Sequence, residues 1–199
     1  MSQSLRTVML TGSDRRHRWV ARQLARELSV VGIVGEEKAA SITSTNGMPP
    51  DDAHVVDRHF AERDAAESAL LGEVHKFPPV EVKRIPAGTL NTEEVYRWVR
   101  EREPEYLVLY GTGILKAPLL EFYDGRVINL HLGLSPYYRG SGTNFWPFVD
   151  GVPEWVGATI GSSLTLPILT QNLLVTLLNE KAGPLVGWGF INAWPVGLE

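Results

Sequence analysis

The chain has 199 residues, 44% of them apolar, a formal charge of −4 and no cysteine. That length can close one substantial core, and the missing cysteine excludes disulfides, thiolate catalysis and thiolate metal sites and fits a reducing compartment. The acidic balance favours a small metabolite over nucleic acid as partner, and the lack of a signal-peptide pattern or an 18-residue apolar run predicts a cytoplasmic protein without a membrane partner.

Residues 7–10 form a β-branched and apolar run that ends at Thr11-Gly12-Ser13. Asp14 then opens a helical pattern over 15–28, with Trp19, Val20, Leu24 and Leu28 on one face. Residues 30–34 are continuously apolar, as a strand buried on both faces requires. Residues 36–50 turn polar, with Gly and a Pro pair, and read as a loop. A polar, Ala-rich helix is predicted over 57–71 and a brief strand over 80–85. The next helix is capped by Asn91 or Thr92. Val95, Trp98 and Val99 form its apolar face, Glu93 and Glu94 its first turn, and Pro104 its stop. A strand over 106–110, the turn Gly111-Thr112-Gly113, a short helix over 118–122 and a strand over 127–132 follow. This rhythm predicts an α/β fold with a Rossmann-like, doubly wound, mostly parallel sheet.

The composition breaks after Ile160. Only Glu180, Lys181 and Glu199 are charged among the last 39 residues, against 39 charged residues in the first 160. Two segments are therefore expected: a Rossmann-like domain over 1–160 and an atypical tail over 161–199. The tail reads as truncated or frameshifted, as a decayed or divergent natural end, or as a segment that packs poorly or pairs with another chain.

Asn129 and His131 alternate with Ile128, Leu130 and Leu132, so both project to one face near the carboxyl end of a strand. Open α/β sheets bind ligands there. An imidazole exchanges protons near neutral pH and an amide can donate to a developing oxyanion. The pattern alone is equally satisfied by a hydrogen-bonded pair inside the sheet. In the loop that follows, Ser135-Pro136 turns the chain, and Arg139-Gly140-Ser141-Gly142 lets backbone amides and a guanidinium approach an anionic or carbonyl group.

Other candidates carry blander readings. Arg15, Arg16, His17 and Arg18 read more readily as a solvated helix face than as a nucleotide contact. Tyr137, Tyr138, Phe145 and Trp146 fit a stacking rim and a packed core equally. His54, His59 and His75 lack ligand-like spacing, so no metal is expected. The first turn lacks the remaining glycines of a dinucleotide fingerprint, although Glu36 follows the second strand, and a nicotinamide-dependent oxidoreductase therefore ranks last.

Asn129-Leu130-His131, the Ser135-Pro136 turn, Tyr137-Tyr138-Arg139-Gly140 and Thr143-Asn144 resemble the folate-dependent formyltransferase family. That family includes glycinamide ribonucleotide, methionyl-tRNA and nucleotide-sugar N-formyltransferases, and its signature is Asn-x-His, a Leu-Pro turn and Tyr-Arg-Gly. The resemblance spans about residues 5–160 and implies a Rossmann-like domain that moves a formyl group from 10-formyltetrahydrofolate to a primary amine. It implies that Asn129 steadies the formyl oxygen and that His131 assists proton movement. It places the folate against Tyr110, Gly111, Thr112, Gly113, Ile114 and Leu115, with Ser135 and Pro136, and the substrate against Gly12, Ser13, Arg139 and Gly140. For Gly12-Ser13 an ordinary first turn between strand and helix reads more readily than a phosphate site.

The likeness stops after Gly157-Ala158-Thr159-Ile160. Gly161 stands where the family has a second His, Ile168 falls near its Asp, and no Asp follows. Losing an acid beside the catalytic imidazole lowers the rate by orders of magnitude while folate binding survives. The expected function is thus formyl transfer to a nucleotide-linked amino sugar or glycinamide ribonucleotide. The alternative is a catalytically inactive folate- or nucleotide-binding module, and a homodimer stays open. Of the two acceptors, the aromatic rim favours the amino sugar, and the acidic chain disfavours tRNA.

Overall fold

The computed structural model describes residues 5–39, 44–134, 137–138, 143, 145–156 and 159–162. Six strands form one sheet: β1 (Arg6–Thr11), β2 (Ser29–Glu36), β3 (Val82–Ile85), β4 (Tyr106–Tyr110), β5 (Val127–His131) and β6 (Thr159–Ser162), in the order β3-β2-β1-β4-β5-β6. The first five pair in parallel and β6 runs antiparallel to β5. The winding direction reverses between β1 and β4, so the sheet is doubly wound, Rossmann-like and mostly parallel, as the alternation of elements predicts.

Five helices accompany the sheet among the described residues: α1 (Arg15–Glu27), α2 (Pro50–Leu71), α3 (Glu93–Arg100), α4 (Leu119–Phe122) and α5 (Trp146–Val149). Strand alternation divides the core in two. Met9, Ile33, Val108, Tyr110 and Leu130 pack with Val20, Ala21 and Leu24 of α1. Val8, Leu10, Val34, Leu107, Leu109 and Val127 pack with Val95 and Val99 of α3 and Leu119 of α4. Helices on both faces explain why the strands read as continuous apolar runs. Thr92 caps α3, its hydroxyl accepting the Val95 N–H at 3.5 Å, with Glu93 and Glu94 in the first turn.

Several boundaries shift from the sequence reading, and two of the shifts have a local cause. Helix α2 begins at Pro50 rather than residue 57, because Pro at the first helical position lacks only an N–H that has no partner there anyway. Asp51 and Asp52 then complement the helix dipole. Strand β3 begins at Val82, two residues later than predicted, after the Pro78-Pro79 pair.

The basic cluster of α1 is not a solvated face. Arg16 reaches Glu67 of α2 at 2.6 Å, and Arg15 reaches Asp64 at 3.6 Å and Glu73 at 3.2 Å. Arg18 donates to the carbonyls of Val74 and Ser13 at 2.8 and 2.6 Å. Helix α2 has no fully buried residue, and these polar contacts tie it and the segment after it to α1. Amide hydrogen exchange measured by NMR is expected to be faster throughout α2 than in α1. The gap should widen at roughly 0.5 M salt, because partly exposed ion pairs are screened. Equal protection in the two helices would show that something other than charge holds α2.

Candidate active site at the carboxyl ends of β1, β4 and β5

Strand β5 presents the two polar side chains singled out from the sequence. Val127, Ile128 and Leu130 are buried, whereas Asn129 and His131 are half-buried. Alternation from Val127 puts both on the sheet face that carries α3 and α4. Asn129 pairs in register with Leu109 of β4 on one side and Gly161 of β6 on the other, and His131 pairs with Thr159. His131 stands one residue past the last β4–β5 pair, Tyr110 with Leu130, level with the turn that leaves β4.

That turn is held from two sides. Glu36, at the end of β2 and 7% exposed, accepts from the Gly113 N–H at 2.7 Å and the Thr112 hydroxyl at 3.0 Å through Oε2. Its Oε1 accepts from the Gly88 N–H at 2.9 Å. Asn91 donates through Nδ2 to the Ile114 carbonyl at 2.9 Å, and its Oδ1 accepts from the Lys116 N–H at 2.6 Å. Leu115 enters the core, while Ile114 at the tip is 79% exposed. Tyr110 borders the turn through its backbone only, since its side chain is buried. Burial pushes its phenol up to about 12.

The turns after β1 and β4 flank the reversal point and close on one side chain, His17. Its Nδ1 accepts the Asp14 N–H at 3.0 Å, which assigns the ring proton to Nε2. The ring is 1% exposed and meets Tyr110 edge-on, with centroids 5.2 Å apart. A Cβ on Gly12 would lie 2.7 Å from His17 Cε1, and one on Gly111 would overlap Nε2. Gly111 also holds a φ of 65°, so both glycines are required.

Burial first, and then the neighbouring Arg16, push the His17 pKa down to about 3, against the pull of Asp14. The imidazole is therefore neutral in the folded chain at neutral pH, whereas the unfolded chain binds a proton there near pH 6.5. Between those two values the unfolded state carries the extra proton, so stability falls as the pH drops from about 6.5 toward 3. Urea unfolding is expected to show a loss of up to about 2 kcal/mol between pH 7.5 and pH 5 from this group. A His17→Gln variant should lose most of that pH dependence. A variant with an unchanged slope would place the titrating group elsewhere.

Sequence reasoning missed three residues of this arrangement. Glu36 was noted only as an acid that follows the second strand, Asn91 only as a helix cap, and His17 was hidden among arginines. A lone acid closing an apolar strand was the available signal for Glu36. Of the aromatic rim, Tyr137, Phe145 and Trp146 are exposed, and Tyr138 donates its hydroxyl to Asp150 at 3.0 Å. The rim is thus surface rather than core. Ser135, Pro136, Arg139, Gly140 and the tail from residue 163 lie outside the described residues.

No family model matches the chain. The fold is that of the formyltransferases. The sheet superposes on the phosphoribosylglycinamide formyltransferase of Anaplasma phagocytophilum with a TM-score of 0.53 at 14% identity, over 83% of this chain and 68% of that one. Glycinamide ribonucleotide transformylase 1 of Geobacillus kaustophilus gives 0.51 at 18% identity, over 80% and 74%. By sequence, the chain is similar to the methionyl-tRNA formyltransferase of Desulforamulus reducens, 34% identical over 85 residues. The enzyme of the same name from Clostridium acetobutylicum is 29% identical over 103 residues. These matches take in 39% and 51% of this chain, but only 27% and 31% of those relatives. In fold and in local sequence the chain is formyltransferase-like.

Proposed function

We propose that the chain transfers a formyl group from 10-formyltetrahydrofolate to a primary amine, a step of one-carbon metabolism in the cytoplasm. The observation that carries the reading is the pair Asn129 and His131, half-buried on one face of β5 beside the turn that leaves β4. The acceptor nitrogen attacks the formyl carbon, and the Asn129 amide donates to the oxygen as it gains charge. His131 takes the proton from the attacking amine, and the donor nitrogen of the folate leaves with a proton. Backbone groups of Gly111 to Leu115, with Ser135 and Pro136, receive the folate. Gly12, Ser13, Arg139 and Gly140 face the acceptor.

Exposed Tyr137, Phe145 and Trp146 favour an acceptor with a ring to stack, such as a nucleotide-linked amino sugar. The relatives by sequence are named for methionyl-tRNA, an acceptor the charge balance disfavours. Glycinamide ribonucleotide is the third candidate. The absence of Asp after residue 160 favours a second reading, an inactive module that binds the folate only.

The test incubates the chain with 10-formyltetrahydrofolate and each acceptor, following tetrahydrofolate release and the formylated product by mass spectrometry. A product that depends on His131 identifies the acceptor. Thermal stabilisation by the folate without turnover of any acceptor supports the inactive module. If neither turnover nor stabilisation occurs, the reading is wrong.

A further inference from the structure

We infer that Glu36 and Asn91 are positioning residues that hold the turn after β4 in its folate-receiving shape. The inference rests on the formyl-transfer reading above, because that reading gives the turn its ligand. The bracing itself stands on geometry. Between them the two side chains make five hydrogen bonds: three to Glu36, from Gly88, Thr112 and Gly113, and two at Asn91, with Ile114 and Lys116.

The two residues come from different parts of the fold and meet the turn at consecutive stations. Glu36 ends β2, beyond β1 from β4 in the sheet. Asn91 precedes Thr92, the residue that caps α3. A buried carboxylate needs its oxygens satisfied, and Glu36 satisfies them on the loop at Gly88 and on the turn. A side chain on Gly113 would put its Cβ 3.1 Å from Oε2, so glycine there lets the carboxylate sit directly on the backbone. A turn already fixed does not have to be ordered when the ligand arrives, and that lowers the cost of binding. The exposed tip residue, Ile114, is then presented at a set place, while the Leu115 side chain anchors the far end in the core.

This arrangement predicts a division of effects. Loosening the brace weakens the formyl donor while leaving the proton-transfer group on β5 where it is. The test compares Glu36→Gln and Asn91→Ala with the parent chain. Donor KM and kcat come from the transfer assay, affinity for 5-formyltetrahydrofolate from titration, and amide exchange at Gly88, Gly113 and Lys116 from NMR.

Glu36→Gln keeps the volume but turns an amide group toward donors. It is expected to raise donor KM roughly tenfold, since hydrogen bonds to a charged acceptor are the stronger kind, with kcat and acceptor KM little changed. Exchange at Gly113 and Gly88 should accelerate. Asn91→Ala should act in the same direction, with faster exchange at Lys116. Its partly exposed site makes it the variant that keeps its fold if Glu36→Gln does not. Faster exchange with unchanged donor KM and affinity would overturn the positioning role, as would unchanged exchange in both variants. A parent chain that neither transfers formyl nor binds 5-formyltetrahydrofolate would instead bring down the formyl-transfer reading. In that case exchange at Gly113 still reports whether the brace exists, and the turn loses its assigned ligand.

Discussion

Replacing His131 by Asn is expected to lower formyl transfer by roughly 10²–10⁴-fold, the range that a positioned general acid or base contributes. Donor affinity should stay near that of the parent, because the turn proposed to receive the folate is braced by Glu36 and Asn91. Asn preserves a polar side chain of similar reach but cannot exchange a proton, so the fold should survive. Single-turnover rates at saturating substrates check the assignment. The single-turnover rate should fall in the variant by the same factor at saturating donor and acceptor, which separates a chemical role from a binding one. An unchanged rate in His131→Asn would remove the residue from the reaction and require another group to take the proton.

Gly111→Ala is expected to be the most destabilising of the single methyl additions around the site. Two penalties combine there. A left-handed backbone costs a residue with a Cβ about 1–2 kcal/mol, and Gly111 sits at φ 65°. The added carbon would also overlap the His17 ring, and overpacking of this kind costs about 1–3 kcal/mol. Urea denaturation of Gly111→Ala, His17→Ala and the double variant separates the two. Truncating the imidazole clears the overlap and leaves the backbone penalty, so Gly111→Ala should cost less in the His17→Ala background than in the parent. Equal costs in both backgrounds would mean that the ring yields to the methyl without loss, and the tight packing at the reversal point would have to be abandoned.

The central strands β1, β2, β4 and β5 were legible because they are buried from both sides and so had to be written largely as apolar runs. Residues 106–110 were placed without error, and β5 was misjudged by one residue at its end. The alternation of Asn129 and His131 with apolar neighbours was equally plain, since a period of two fixes the face. Helix α2 was legible only from residue 57 onward. It has no apolar stripe for periodicity to find, and a proline pair at its start looks like a loop. The arginines of α1 show a deeper limit. A run of charges states that partners are needed and not where they are, and here the partners lie some fifty residues away on α2 and the segment that follows it. The role of His17 was unreadable for the same reason, and that of Glu36 was only hinted at by its place at the end of an apolar strand, because both depend on which turns the sheet brings beside them.

The His17 ring has one more consequence. In a sheet of this winding, a dinucleotide usually lays its diphosphate across the first turn, using free amides at the start of the first helix. Here the Asp14 amide is already given to His17, and the ring fills the gap between Gly12 and Gly111. The acid that would grip a ribose, Glu36, is committed to Gly88, Thr112 and Gly113. An incoming nicotinamide cofactor would find both its seats taken. The molecule has the architecture of a nucleotide carrier with its middle plugged, so a ligand is left to approach from the side of β5, where an amide and an imidazole lie on one face of the strand.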